Sequence, residues 1–196
     1  MNVTHGILRR LGRLVSLKAF FGDKRGVSAV EFALLAPILI MAYLGLAELT
    51  LGMMASRRTS HLAATIGDLA AQSDTLTLSN ISDLWAIGSS MLMPFSTDNT
   101  TLKIRLSSVT MVGSNATVQW SQATTGTTGY AKGSVIPSIT TAQIAAGESL
   151  MMTEVEYDYT SPISSPMANF LPGMQVFKDT FYHHPRNGAA VACAAC

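Results

Sequence analysis

The sequence predicts an α+β protein. A long N-terminal helix spans a membrane in its first half and acts as a stalk in its second, and a second helix packs on a small antiparallel sheet. Three observations lead there. A basic segment gives way to an uncharged apolar run near the N-terminus. Helical spacing then continues well past the end of that run, and beyond Pro94 the apolar period falls from near 3.6 to 2. A helix laid on such a sheet is a two-layer arrangement around one core. At 196 residues the chain is one domain with appendages.

The first element is a basic leader, residues 1–26. It carries Arg9, Arg10, Arg13, Lys18, Lys24 and Arg25 against the single acid Asp23. That excess ahead of an apolar run places the N-terminus in the cytoplasm and the remainder of the chain on the other side of the membrane. The net charge of the whole chain is only +1, which argues against nucleic acid as a partner. Charged residues make up 13% of the chain, and Ser, Thr, Asn and Gln crowd the part after position 70, a surface suited to an extracytoplasmic domain.

Residues 27–56 form the membrane helix. The uncharged run Phe32–Ala47 has a length of roughly 24 Å, a little under a hydrocarbon core of about 30 Å. The weakly polar stretch to Ser56 completes the crossing, with Glu48 near the outer interface and Arg57 and Arg58 on the water side. Glu48 fits either an interfacial position or a contact with another subunit. Pro37 removes one helical hydrogen bond and marks either a bend or a harmless kink. Residues 57–73 extend the helix as a stalk. Leu62, Ile66 and Leu69 form its apolar stripe, while Arg57, Arg58, His61 and Asp68 face water.

Three readings of the apolar segment compete. A secretory signal peptide calls for a shorter core and small residues at the cut, whereas Glu48-Leu49-Thr50-Leu51 follows here. An uncleaved anchor explains the length and leaves Glu31 without a role. A segment cut before the apolar helix, with the helix retained, accounts for the leader, Gly26, Glu31 and the run together. A carboxylate near the start of a membrane helix is costly and usually functional. Its bland alternative is a charge that snorkels to the headgroups.

The stretch GVSAVEFALLAPILI resembles the N-terminal signature of the TadE-like (TadE/TadG) minor pseudopilins of tight-adherence (Tad) pili. Gly26, Glu31, Phe32 and Pro37 fall on the family's cleavage glycine, its acid and aromatic at the fifth and sixth mature positions, and its helix proline. The resemblance implies a pilin-like fold and removal of the leader between Gly26 and Val27 by a prepilin peptidase. It also implies assembly and registration through Glu31 and Phe32. The implied partners are other Tad pilins and pseudopilins, the inner-membrane assembly platform and membrane lipid. The implied location is the bacterial inner membrane, single-pass, with a periplasmic head that also enters a surface pilus. The implied function is a non-enzymatic minor pseudopilin that joins or primes a Tad pilus for adherence. The competing function is an uncleaved, membrane-anchored periplasmic binding domain or enzyme.

Residues 74–186 make the α+β head. Ser79 or Asn80 caps a second helix whose inner side is Ile81, Leu84, Trp85, Ile87, Gly88 and Met91, and Met93-Pro94 ends it. Leu102, Ile104 and Leu106 alternate with Lys103 and Arg105 as a half-buried strand. The apolar parity changes at Ser107-Ser108, which predicts a β-bulge. Gly113-Ser114-Asn115 turns the chain into a returning strand with Ala116, Val118 and Trp120. Residues 121–134 read as an exposed loop, and a short helix is expected at 141–145. Strands follow at Met152–Tyr159 and Val176–Tyr182.

Two clusters invite chemistry. Glu154, Glu156 and Asp158 share one strand face at steps of about 7 Å. A glycosidase pair or a calcium site uses such acids, but solvated acids facing Lys103 and Arg105 need no such role. His183 and His184 precede Cys193 and Cys196 on a tail, 187–196, expected to be flexible. The cysteines fit a small disulfide, a loose thiol pair or a cross-link to a partner. Adjacent histidines aim poorly at one zinc, and a redox pair needs a helix N-terminus. No catalytic residue, metal site or cofactor is expected.

Overall fold

The computed structural model describes residues 26–98, 100–161, 176–188, 190–193, 195 and 196. The basic leader upstream of Gly26 lies outside the described residues, as does Pro162. Helix α1 runs Val27–Ala71 without interruption through Pro37. The chain divides into two compact units between Leu46 and Ala47.

In the first unit the large apolar side chains of α1 are open, among them Val30 (61% exposed) and Tyr43 (73%), with Leu44 alone half-buried among those described. A helix apolar on all sides and unburied is one built for lipid. Its most apolar 18-residue window has a mean hydropathy of 2.1, long and apolar enough to cross a membrane once.

The second unit is the head. The α1 residues in it bury one stripe: Gly52, Ala55, Thr59, Leu62, Ala63, Ile66, Gly67 and Ala70. The three- and four-residue spacing defines a single face, and its small side chains let the sheet come close. A two-residue strand β1 (Thr75–Leu76) leads to helix α2 (Leu78–Leu92). The cap of α2 is Thr77, not Ser79 or Asn80. Its hydroxyl accepts from the Asn80 amide while the Asn80 side chain accepts from the Thr77 amide, a reciprocal capping box. Asn80 is thus the third helical residue, so the true cap lies two to three positions earlier than expected. The buried side is Ile81, Leu84, Gly88 and Leu92; Ile87, expected inside, is 41% exposed. Moving the helix start earlier does not change its phase, but Ile87 lies about 100° from Gly88, off the stripe.

Strands β2 (Leu102–Val112), β3 (Asn115–Ala123), β4 (Ser149–Asp158) and β5 (Val176–His183) form an antiparallel sheet in the order β3-β2-β4-β5. The register of β2 with β4 is unbroken from Leu102↔Tyr157 to Thr110↔Ser149. The irregularity expected at Ser108 is present, but in the partner strand. Ser108 faces Trp120 while Val109 faces Val118, so Gln119 of β3 is the extra residue. Nothing re-registers β2. Its apolar parity changes because the sheet carries two cores on opposite faces. Leu102, Ile104 and Leu106 pack with α1 and α2. Val109 and Met111 pack on the other face beneath Ile136, Ile139 and Ile144. Adjacent residues of β4 divide accordingly, with Met151 in the first core and Met152 in the second.

The segment between β3 and β4 is therefore a cover rather than an open loop. Residues 121–123 belong to β3. The 141–145 stretch makes one turn, with the Gln143 and Ile144 amides bonded to the Thr140 carbonyl, and not a helix. Pro137 and Gly147 leave too few residues between them to propagate one. The tail is likewise seated. Strand β6 (Ala192–Cys193) pairs in parallel with β1, Val191 is 2% exposed, and the Trp120 indole donates to the Val191 carbonyl at 2.8 Å. Burying an apolar side chain and satisfying an indole hold this stretch where composition alone suggested slack.

Candidate functional site

The residues singled out at the N-terminus stand at the beginning of α1. Gly26 immediately precedes the helix, and apart from its chain neighbours no atom of the described residues lies within 4 Å of where a side chain on it would begin. Val27 is the first helical residue and Glu31 follows one turn later. Glu31 and its neighbour Phe32 (67%) are exposed on a helix with no packing partner among the described residues of that unit. Pro37 lies two turns further on inside the same helix.

Glu48 is in a different environment. It is 7% exposed, and the Ser161 hydroxyl donates to its carboxylate. Tyr159 stands close by, with Phe95 edge-on at 5.9 Å and Phe177 at 6.0 Å. Burial pushes the Tyr159 phenol up to about 12, and the negative charge of Glu48 adds to the effect. An acid turned into the head is neither of the two roles weighed for Glu48 from sequence.

The acidic face of β4 meets cations at every position. Lys103 reaches Glu156 at 2.9 Å and Asp158 at 3.0 Å, Arg105 reaches Glu154 at 3.0 Å, and Lys178 reaches Glu156 at 2.6 Å. Hydrogen bonds from Lys178 and then Lys103 hold the Glu156 carboxyl below its ordinary range, and the bonds to Glu156 and then Asp158 raise the Lys103 ammonium. The Arg105 guanidinium also lies 4.4 Å from the Tyr130 ring centroid and donates to the Thr128 carbonyl. A carboxylate ladder already matched by cations pins the cover segment to the sheet. It offers neither a free general acid nor an open set of oxygen ligands.

The second cluster is dispersed. Cys193 and Cys196 form a disulfide. His183 packs over Gly67 instead, where a β-carbon would lie 2.5 Å from its Nδ1. Among the described residues no group of three or more His, Cys, Asp or Glu side chains converges for a metal ion.

Two contacts escaped sequence reasoning. Arg58, read as solvated, donates to the Met91 carbonyl at 3.2 Å and to the Met93 carbonyl, closing the end of α2. Asp68, also read as solvated, accepts from Arg186 at 2.7 Å, which lowers its pKa. Each pair is separated by more than thirty positions, and no local pattern announces it.

Fold and site together define an α+β protein whose long apolar helix suits a single-pass membrane anchor and whose β4 acids are paired with cations. Residues 26–67 match the family model described as TadE-like protein. The stretch begins at Gly26 and runs through the exposed apolar half of α1 into the buried stripe. No curated protein and no solved structure matches the chain.

Proposed function

We propose that the protein is a minor pseudopilin whose leader is removed between Gly26 and Val27 by a prepilin peptidase, and which then joins or primes a Tad-type pilus. It acts by assembly and not by catalysis, with its head in the periplasm. The observation that carries this reading is the coincidence of three boundaries: the TadE-like match starts at Gly26, the helix starts at Val27, and Glu31 stands one turn in. Cleavage would create an ammonium on Val27. Glu31 lies within one helical turn of it and within reach of the same group on a neighbouring copy. In a low-dielectric filament interior an unpaired carboxylate is heavily penalised and a paired one tolerated, so pairing would set the register between subunits, with Phe32 packed beside it. Partners are then other Tad pilins and pseudopilins and the inner-membrane assembly platform.

Mass spectrometry of the N-terminus of protein recovered from cells tests the reading. A chain beginning at Val27 supports it; an intact leader overturns it in favour of a plain tether. Glu31→Ala should abolish incorporation into pili while leaving membrane insertion unchanged, and undiminished incorporation would remove the registration role.

A further inference from the structure

An open groove on the outer side of the head's α1 segment is used by nothing above. Met53, Met54, Arg57, Arg58 and His61 of α1 and Met91 of α2 line it, and it holds about 810 Å³. Its floor is apolar and uncovered: Met53 is 49% exposed, Met54 39% and the preceding Leu49 41%. Methionines adapt to irregular apolar partners, and contiguous apolar exposure of this kind marks a contact surface. Its rim is basic and contains no carboxylate. Arg58 is committed to the α2 carbonyls. Arg57 and His61 are exposed and have no hydrogen-bond or ion-pair partner among the described residues.

The position of this groove along α1 identifies its occupant. The uncharged run ending at Ala47 is about 6 Å short of a bilayer core, and a solvated acid at Glu48 would end the crossing there. Glu48 does not end it, because the head encloses that carboxylate under Ser161. Arg57 is nine residues on, about half a turn round the helix from Glu48. The face opposite the enclosed acid therefore continues apolar for two more turns through Met53 and Met54. Those turns add about 10 Å, enough to complete the crossing, and Arg57 and His61 then fall at headgroup depth.

We infer that this groove is a lipid-docking surface. Its methionines lie among acyl chains, and Arg57 with His61 meets the phosphate of an anionic phospholipid in the leaflet nearest the head. The inference rests on α1 spanning the membrane and is independent of leader cleavage.

The test uses the full chain in nanodiscs of phosphatidylglycerol and phosphatidylethanolamine carrying a trace of diazirine phospholipid, with adducts mapped by mass spectrometry. Adducts are expected on Met53, Met54 and Met91 as well as on Phe32–Ala47. Arg57→Gln should reduce the first set about fivefold, the worth of one surface cation against anionic lipid, and leave the second unchanged. Phosphatidylcholine nanodiscs should give the same selective loss. Groove adducts that are absent, or insensitive to both changes while those on Phe32–Ala47 persist, overturn the inference. So do copy-to-copy cross-links through Met54, which would make a second chain the occupant. Loss of adducts on Phe32–Ala47 as well would instead strike at the membrane span itself.

Discussion

The α1 helix passes close against the sheet at Gly67, and replacing it by alanine measures how tightly the head is locked to its helix. An alanine β-carbon there would stand 2.5 Å from His183 Nδ1, 2.9 Å from its Cε1 and 2.8 Å from Thr153 Oγ1. Neither neighbour yields easily. Thr153 is fully buried and stiff at its first torsion, and His183 is stacked on Phe181. Overpacking of this kind costs about 1–3 kcal/mol, against a gain of about 1 kcal/mol from replacing a mid-helix glycine. Gly88 in α2 is the internal control. It collects the same propensity gain, and its one close contact is the flexible end of Ile104, at 2.9 Å. Gly88→Ala should therefore melt at or slightly above the parent temperature and Gly67→Ala below it. At about 2–4 °C per kcal/mol the gap between the two is several degrees. Thermal unfolding of the detergent-solubilised full chain followed by circular dichroism supplies the comparison. His183→Ala in the Gly67→Ala background should recover part of the loss. If Gly67→Ala is as stable as Gly88→Ala, the close approach is not a constraint and the packing argument is wrong.

Three further outcomes are expected. Thr77→Ala removes the acceptor of the α2 capping box and should cost about 1 kcal/mol, read as a lowered urea midpoint with an unchanged slope. Trp120→Phe leaves the buried Val191 carbonyl without its donor, at a cost of about 1–3 kcal/mol; hydrogen-exchange mass spectrometry should show faster exchange at the Ala192 amide, which is bonded to the Asp74 carbonyl. Tyr159 has a folded pKa raised to about 12, against about 10 when unfolded. The folded state thus holds the phenol proton more tightly, so stability is full below pH 10 and falls as pH rises toward 12. Tyr159→Phe should flatten that alkaline decline and remove one late-titrating phenol from the ultraviolet titration.

Where the pattern was periodic, the sequence was readable. The length of α1, the alternation along β2 and β4, and the facing of Lys103 and Arg105 against Glu154 and Glu156 all follow from period 3.6 or period 2 with a single buried face. The parity change at Ser107-Ser108 was readable as an event, but not as to its cause. One sequence can satisfy such a change with an extra residue in its own strand or with a second core across the sheet. The deciding residues, Ile136, Ile139 and Ile144, sit in a turn-rich segment with no period. The seating of 191–193 was unreadable for a related reason: a lone valine between alanines gives no pattern, and its anchor is Trp120, far away in sequence. Of the proposed site, Gly26, Glu31 and Phe32 stand out in the sequence at the junction of basic leader and apolar run, and they lie at the start of α1. Glu48 was not, because its enclosure depends on Ser161.

The enclosure of Glu48 and the clamp of Arg58 answer a difficulty that the charge pattern raises. In the orientation expected from the basic leader, Arg57 and Arg58 follow the span on the side where the positive-inside rule disfavours cations, and Glu48 interrupts the span short of its required length. Were all three solvated, the membrane would be crossed by too short a helix with basic residues on the wrong side. The head resolves each in turn. It buries the acid under Ser161, spends Arg58 on the carbonyls of Met91 and Met93, and leaves Arg57 the one arginine of the pair without a protein partner among the described residues. If the groove docks lipid as proposed, a lesion that frees Ser161 from Glu48 should act on the membrane-facing surface as well as on the core.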